Sequence, residues 1–165
     1  MPERGVLGFD GRVINSKIGE GLKERLARKQ VTICPDHDLI GEIWEDRPEL
    51  SANPVWILKE KYAGQSASGK IAQVRKAMKK AYADVHILTT LDDIVWLLNI
   101  RGNDIPCNPV VLSYLLVTEE TLSFYVNPQV LSGEVQDYLK ALGVTVHPYN
   151  DIYADVKELK GHRIL

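Results

Sequence analysis

Residues 91–109 read LDDIVWLLNIRGNDIPCNP. The run Ile94 to Ile100 is apolar almost all the way round a helical wheel, so a helix over 94–100 must be buried. Thr90-Leu91-Asp92-Asp93 just before it is close to a capping box, with Asp93 in place of the usual Glu. Immediately after it the character changes. Asn99, Arg101, Asn103 and Asp104 cluster around Gly102, on a loop between two core elements. Two roles fit such a polar cluster: Arg101 and Asp104 pair to pin the loop, or the group faces a ligand.

Outward from this stretch the apolar period switches repeatedly between two and 3.6, the pattern of an α/β domain. Val85 to Leu88 reads as the strand before the buried helix. Val110 to Thr118 and Thr121 to Val126 read as a hairpin turning at Glu119-Glu120. The first arm is nearly continuous in apolar residues and is expected at the centre of a sheet; the second alternates and is expected nearer an edge. Ser132 to Leu142 is a helix closed by Gly143, Val144 to His147 a strand, and Ile152 to Leu159 a helix stopped by Gly161. Arg163 to Leu165 begins another extended segment.

On the amino-terminal side, Val6 to Phe9 and Val31 to Cys34 are strands. The amphipathic helix between them carries Ile18, Leu22 and Leu26. Asp36 and Asp38 can cap a short helix with Leu39, Ile43 and Trp44. Residues 64–69 open a long helix with Ile71, Val74, Met78 and Ala81 on one face. Lys70, Arg75, Lys76, Lys79 and Lys80 form the other face, which is expected to be solvated.

The 165 residues carry 20 Lys and Arg against 22 Asp and Glu, a net charge of -2. No basic footprint for a nucleic-acid partner is present. No apolar run approaches the ~18 residues of a membrane span, and Met1 to Gly5 lacks the apolar core of a secretory signal. Cys34 and Cys107 cannot build a disulfide framework, which fits a cytoplasmic location. With no long linker or repeat, one domain over 1–165 is expected.

Three constellations suggest chemistry of the chain's own. Gly64 to Lys70 follows the spacing of a phosphate-binding loop, but Ile71 stands where Ser or Thr would hold magnesium. Cys34-Pro35-Asp36-His37 offers two zinc ligands of the four, or three plus water, that tetrahedral zinc needs. Asp10 after the first strand could begin a two-metal nuclease site, with further carboxylates still to be supplied. None of these is complete, and neither a catalytic residue nor a metal ligand is assigned.

The 91–109 segment resembles the signature of the second, middle domain of long-form aminopeptidase P, the Xaa-Pro aminopeptidases, within the creatinase/prolidase amino-terminal-domain family. That pattern runs approximately L-D-E-I-A-W-L-x-N-x-R-G-x-D-x-x-x-N-P. The chain supplies Leu91, Asp92, Ile94, Trp96, Leu97, Asn99, Arg101, Gly102, Asp104, Asn108 and Pro109, and departs at Asp93 and Val95. Supporting matches are Trp44 with Arg47-Pro48, Gly64 with Ser66 and Lys70, and His147-Pro148-Tyr149.

The resemblance implies a ribonuclease-H-like α/β sandwich, a mixed sheet flanked by helices, and a helix start rather than a phosphate loop at Gly64–Lys70. It also implies a parent peptidase that removes the residue before proline. Its two divalent ions, typically manganese, would sit in a separate pita-bread catalytic domain whose ligand motifs this chain lacks. The chain is thus expected to be an excised, noncatalytic fragment, inactive alone and without a cofactor of its own. Asn99, Arg101, Asn103 and Asp104 are the candidates to face the substrate cleft or an interdomain contact. The implied partners are the parent's other domains and proline-containing peptides, with no nucleic acid or membrane; a homodimer is left open. Rival expectations are a free-standing binding or assembly module of the same fold and, further off, a metal-dependent nuclease centred on Asp10.

Overall fold

Two short parallel strands open the chain, β1 (Val6–Gly8) and β2 (Thr32–Cys34), joined through helix α1 (Ser16–Leu26). Asn15 starts α1, its side-chain oxygen accepting the Ile18 N–H at 2.9 Å. Helix α2 (Leu39–Ile43) begins in the same way at Asp38, which accepts the Gly41 N–H at 2.8 Å. Arg12 grips both oxygens of Asp10, and Asp38 receives Arg12 at 3.1 Å and Arg47 at 2.5 Å. The Arg12 hydrogen bonds hold the Asp10 carboxyl below its usual pKa. The Gly41 N–H, then Arg47, does the same for Asp38. None of residues 1–49 is buried.

The computed structural model describes all of residues 1–165, and the chain divides into two compact units, Met1–Glu49 and Leu50–Leu165. The sequence pattern alone gives one domain. The division follows from where apolar side chains are enclosed, since every core residue belongs to the second unit.

That second unit is built on a four-stranded mixed sheet in the order β4 (Val85–Leu88), β6 (Ser113–Thr118), β7 (Leu122–Val126), β8 (Val144–Pro148). The first three strands pair antiparallel, and β8 joins β7 in parallel. Successive side chains alternate between faces. Leu115 and Val117 of β6, with Leu122, Phe124 and Val126 of β7, enter the larger core. There they meet α4 (Ala67–Lys80), α5 (Leu91–Leu98) and α6 (Gly133–Ala141) through Ile71, Met78, Ile94, Leu98, Val135 and Leu139. Leu116 and Tyr125 face the other way, where α7 (Ile152–Asp155) and a 3₁₀ turn over Val156–Leu159 cover them. The sheet therefore has helices on both faces.

A two-stranded antiparallel pair, β3 (Trp56–Ile57) with β5 (Ile100–Arg101), and the short helix α3 (Glu60–Ala63) complete this unit. Ser66 caps α4 by accepting the Gly69 N–H. The phosphate-loop spacing is thus an ordinary helix start, preceded by Gly64 in the left-handed region at φ 76°.

Four expectations need correction. Strand β7 is interior: β8 takes its second edge, and its polar tip Tyr125 is buried because the hydroxyl donates to Asp155 at 2.7 Å. The apolar helix stops at Leu98, and Ile100 belongs to a strand; Trp96 on its outer side is 48% exposed. Thr90 adopts the extended conformation of a cap, but its side chain accepts no helix amide. The basic face of α4 is not all solvated, because Lys70 is 1% exposed and Arg75 donates to the carbonyls of Thr118 and Thr121.

Candidate functional site

The polar cluster is built where α5 ends. Asn99 closes the helix in the left-handed region at φ 52°, a conformation Asn tolerates better than most residues. Its buried side chain is spoken for at both ends: Nδ2 donates to the Gln65 carbonyl at 2.9 Å, and Oδ1 accepts from Lys70 Nζ at 2.6 Å. Lys70 also donates to the Trp96 carbonyl, and its ammonium lies 4.3 Å from the centre of the Trp96 ring. Burial, with the Arg101 charge as a second cause, pushes the Lys70 pKa down from its ordinary value.

Arg101 follows one residue into β5. Its Nη1 donates to the carbonyls of Val95 at 2.9 Å and Ile100 at 2.7 Å. Tyr138 donates to the Leu98 carbonyl at 2.9 Å. Two cations and a hydroxyl therefore serve the last carbonyls of α5, the end where the helix dipole favours positive charge. The Arg101–Asp104 ion pair, one of the two roles left open by the sequence, does not form: each is fixed to main chain instead. Asp104 Oδ2 accepts the Leu112 N–H at 2.7 Å, and its own N–H donates to the Val110 carbonyl at 3.1 Å. The other carboxyl oxygen, Oδ1, is buried without a partner.

The turn between them depends on close backbone approach. A Cβ on Gly102 would come 2.8 Å from the Val110 carbonyl oxygen and 3.0 Å from Val111 Cβ. Asn103 is exposed, and its carbonyl accepts from Asn53 Nδ2 at 3.1 Å. All four residues singled out in the sequence thus lie in one segment, but they do not form one contact network. Asn99 is a buried fastener, Asp104 ties the far arm of the loop, and Arg101 and Asn103 reach the surface.

Sequence reasoning missed Lys70, Trp56 and Trp96 as members of the site. The signal for Lys70 was present: it falls three residues after Ala67 and four before Val74, inside the apolar stripe of α4. Trp56 stands directly opposite Arg101 in the β3–β5 register and is 41% exposed. Elsewhere in this unit a groove of about 990 Å³ runs between α4 and the β6–β7 turn, lined by Arg75, Lys79, Glu119 and Arg163 among others. None of the four candidate residues lines it. No group of three or more His, Cys, Asp or Glu side chains gathers as a metal site, and no helix is long and apolar enough to cross a membrane.

This mixed sheet, flanked by helices and carrying an Asn-x-Arg-Gly turn at the end of a buried helix, defines an α/β domain of recognisable type. Residues 46–165 match the creatinase/prolidase N-terminal domain, and the chain belongs to that family. Among its relatives, a probable Xaa-Pro aminopeptidase P of Chaetomium globosum is 36% identical over 156 residues, covering 93% of this chain and 25% of that protein. The Xaa-Pro aminopeptidase app-1 of Caenorhabditis elegans is 36% identical over 155 residues, with 92% and 25% covered. A crystal structure of X-prolyl aminopeptidase from Caenorhabditis elegans, described as a cytosolic enzyme with a di-nuclear active site, superimposes with a TM-score of 0.84 at 33% identity. It is matched over 94% of this chain and 26% of its own length. The chain therefore spans about a quarter of the curated relatives it matches.

Proposed function

We propose that the chain is the middle, noncatalytic domain of an Xaa-Pro aminopeptidase, and that its 99–104 segment forms a wall of the peptide cleft or a contact with the catalytic domain. The observation that carries this reading is the conjunction of the family match over residues 46–165 with a surface-reaching Arg101 in the 91–109 segment. In this reading the sandwich is ribonuclease-H-like, the location is cytoplasmic, and hydrolysis belongs to two divalent metal ions, manganese by preference, in a domain outside residues 1–165. The residues present do not gather a ligand set for such ions, so no catalytic step is assigned to them. Their work is positional. Asn99 and Lys70 fix where α5 ends, and Gly102 sets the angle at which the loop leaves. The permanently charged guanidinium of Arg101 stays at the surface, suited to a carboxylate or carbonyl.

The test is made in the full-length enzyme. Arg101→Ala should raise KM or lower kcat for an Xaa-Pro peptide while the melting temperature stays within a few degrees of the parent. A collapse in stability with unchanged kinetics of the remaining folded enzyme would assign Arg101 to holding the helix end alone. The 165-residue chain by itself should cleave no Xaa-Pro peptide and take up manganese or zinc without tight stoichiometric binding, by calorimetry.

A further inference from the structure

We infer that Arg101, backed by Lys70 and flanked by Trp56, is a binding site for a peptide carboxylate. The inference rests on the reading that the 99–104 segment faces peptide, and it names what that segment recognises.

The first observation is an imbalance of charge. Lys70 and Arg101 are close enough for the Arg101 charge to depress the Lys70 pKa. Yet the ion pairs of the molecule are Arg12 with Asp10 and Asp38, Arg47 with Asp38, and Arg163 with Asp84. Neither Lys70 nor Arg101 has a carboxylate partner. The α5 helix end supplies about half an opposite charge to the two cations, and the Asp104 carboxylate of the same turn is tied to the Leu112 N–H rather than to either of them. Asp92 and Asp93 sit at the opposite end of the same helix.

The second observation concerns which donors are spent. Arg101 uses Nη1 on the two carbonyls, and no hydrogen bond engages Nε or Nη2. Those two atoms are not sealed in either, since Asp104 Oδ1 is the buried side-chain polar atom that lacks a partner. Nε and Nη2 form the side edge of the guanidinium, which matches the two oxygens of a carboxylate in parallel hydrogen bonds. The edge is held ready, because Nη1 anchors the fork to α5. A freely rotating surface arginine would lose more side-chain entropy on binding.

The third is the setting. Trp56 faces the same side of the β3–β5 pair as Arg101, because directly opposed residues of an antiparallel pair share a face. It offers a partly exposed aromatic surface on that face for a peptide chain to lie against. Trp96, over the Lys70 ammonium, adds a second partly exposed ring at the same helix end. Clusters of Trp and Arg are what strongly contributing recognition surfaces are made of.

The experiment uses the 165-residue chain and three probes: Gly-Pro-Gly with a free terminal carboxylate, the same peptide amidated, and amidated Gly-Pro-Glu. Binding is followed by tryptophan fluorescence and by amide chemical shifts of residues 96–104. The free acid should bind roughly tenfold to a hundredfold more tightly than its amide. Arg101→Gln should abolish that difference, and Arg101→Lys should restore it in part, as charge without the fork. Binding of the amidated Glu peptide would identify a side-chain carboxylate as an acceptable source; its failure beside a bound free acid would restrict the site to the chain terminus. Equal binding of acid and amide, or no binding of either, overturns the inference, and this comparison on the unaltered chain needs no variant to fold. If that happens while Arg101→Ala still impairs the full-length enzyme, the cleft-wall reading survives and the carboxylate assignment alone fails.

Discussion

Lys70 Nζ and Asn99 Oδ1 meet at 2.6 Å in the interior, 29 residues apart, and join the first turn of α4 to the residue that caps the end of α5. The lysine is charged and buried without an acidic partner, so its retention depends on carbonyl and amide oxygens supplied at fixed points. Asn99→Ala should remove both side-chain bonds and force alanine into the left-handed region. The expected loss is about 2–4 kcal/mol in urea unfolding. Asn99→Gly, which relieves the backbone but not the lost bonds, should fall about 1 kcal/mol short of that. A change below ~0.5 kcal/mol for the alanine variant would mean that the contact contributes little.

Gly102 is a close-packing glycine rather than a left-handed one. In Gly102→Ala the new methyl meets the Val110 carbonyl and Val111 Cβ, neither of which is a flexible side-chain tip. The loop must move, at a cost of about 1–3 kcal/mol. Amide shifts should change from Arg101 to Leu112, while those of β8 stay in place. A variant as stable as the parent, with an unchanged spectrum, would contradict the fit.

Acid should act on residues 1–49 through Asp10 and Asp38. The folded-state pKa values of Asp10 and Asp38 lie below the ordinary 3.8. Their contribution is therefore present above 3.8 and is lost as pH falls below it through the depressed values. Amide signals from α2 and from the Asp10–Arg12 turn should broaden or shift in that window. Raised salt should shrink the effect, because these pairs face solvent. Asp38→Asn should remove most of the pH dependence of α2. An acid transition no different between parent and variant would rule out this origin.

The two units should differ in autonomy. Residues 50–165 contain every buried apolar side chain of the protein, whereas β1 and β2 form a two-stranded parallel pair with no enclosed core. Expressed alone, 50–165 should melt cooperatively within a few degrees of the parent. Residues 1–49 alone should show no cooperative transition by circular dichroism. A cooperative melt of the shorter piece would reverse this assignment.

The elements with local causes were legible in the sequence. Helices α1, α4 and α6 follow from apolar spacing, and β6 and β7 from two apolar runs around Glu119-Glu120. What escaped depends on distant partners. The alternation of Leu122, Phe124 and Val126 with Ser123 and Tyr125 looks like an edge strand until Asp155, 30 residues on, satisfies the Tyr125 hydroxyl. Lysine at position 70 reads as a surface residue because nothing local reveals the carbonyls it meets at the end of α5. The polar turn was legible as a place, Asn99 to Asp104, but its wiring was not. Arg101 and Asp104 have complementary charges and suitable spacing, yet each finds closer main-chain partners.

The last three residues lie along the outer side of β4: the Leu165 N–H donates to the Val85 carbonyl at 2.9 Å, and the Leu165 carbonyl accepts from Ile87 at 3.0 Å. A strand flank left bare is a template on which another molecule can zip. Here Arg163–Leu165 occupies that template, so sheets cannot join through this flank of β4 while these bonds hold.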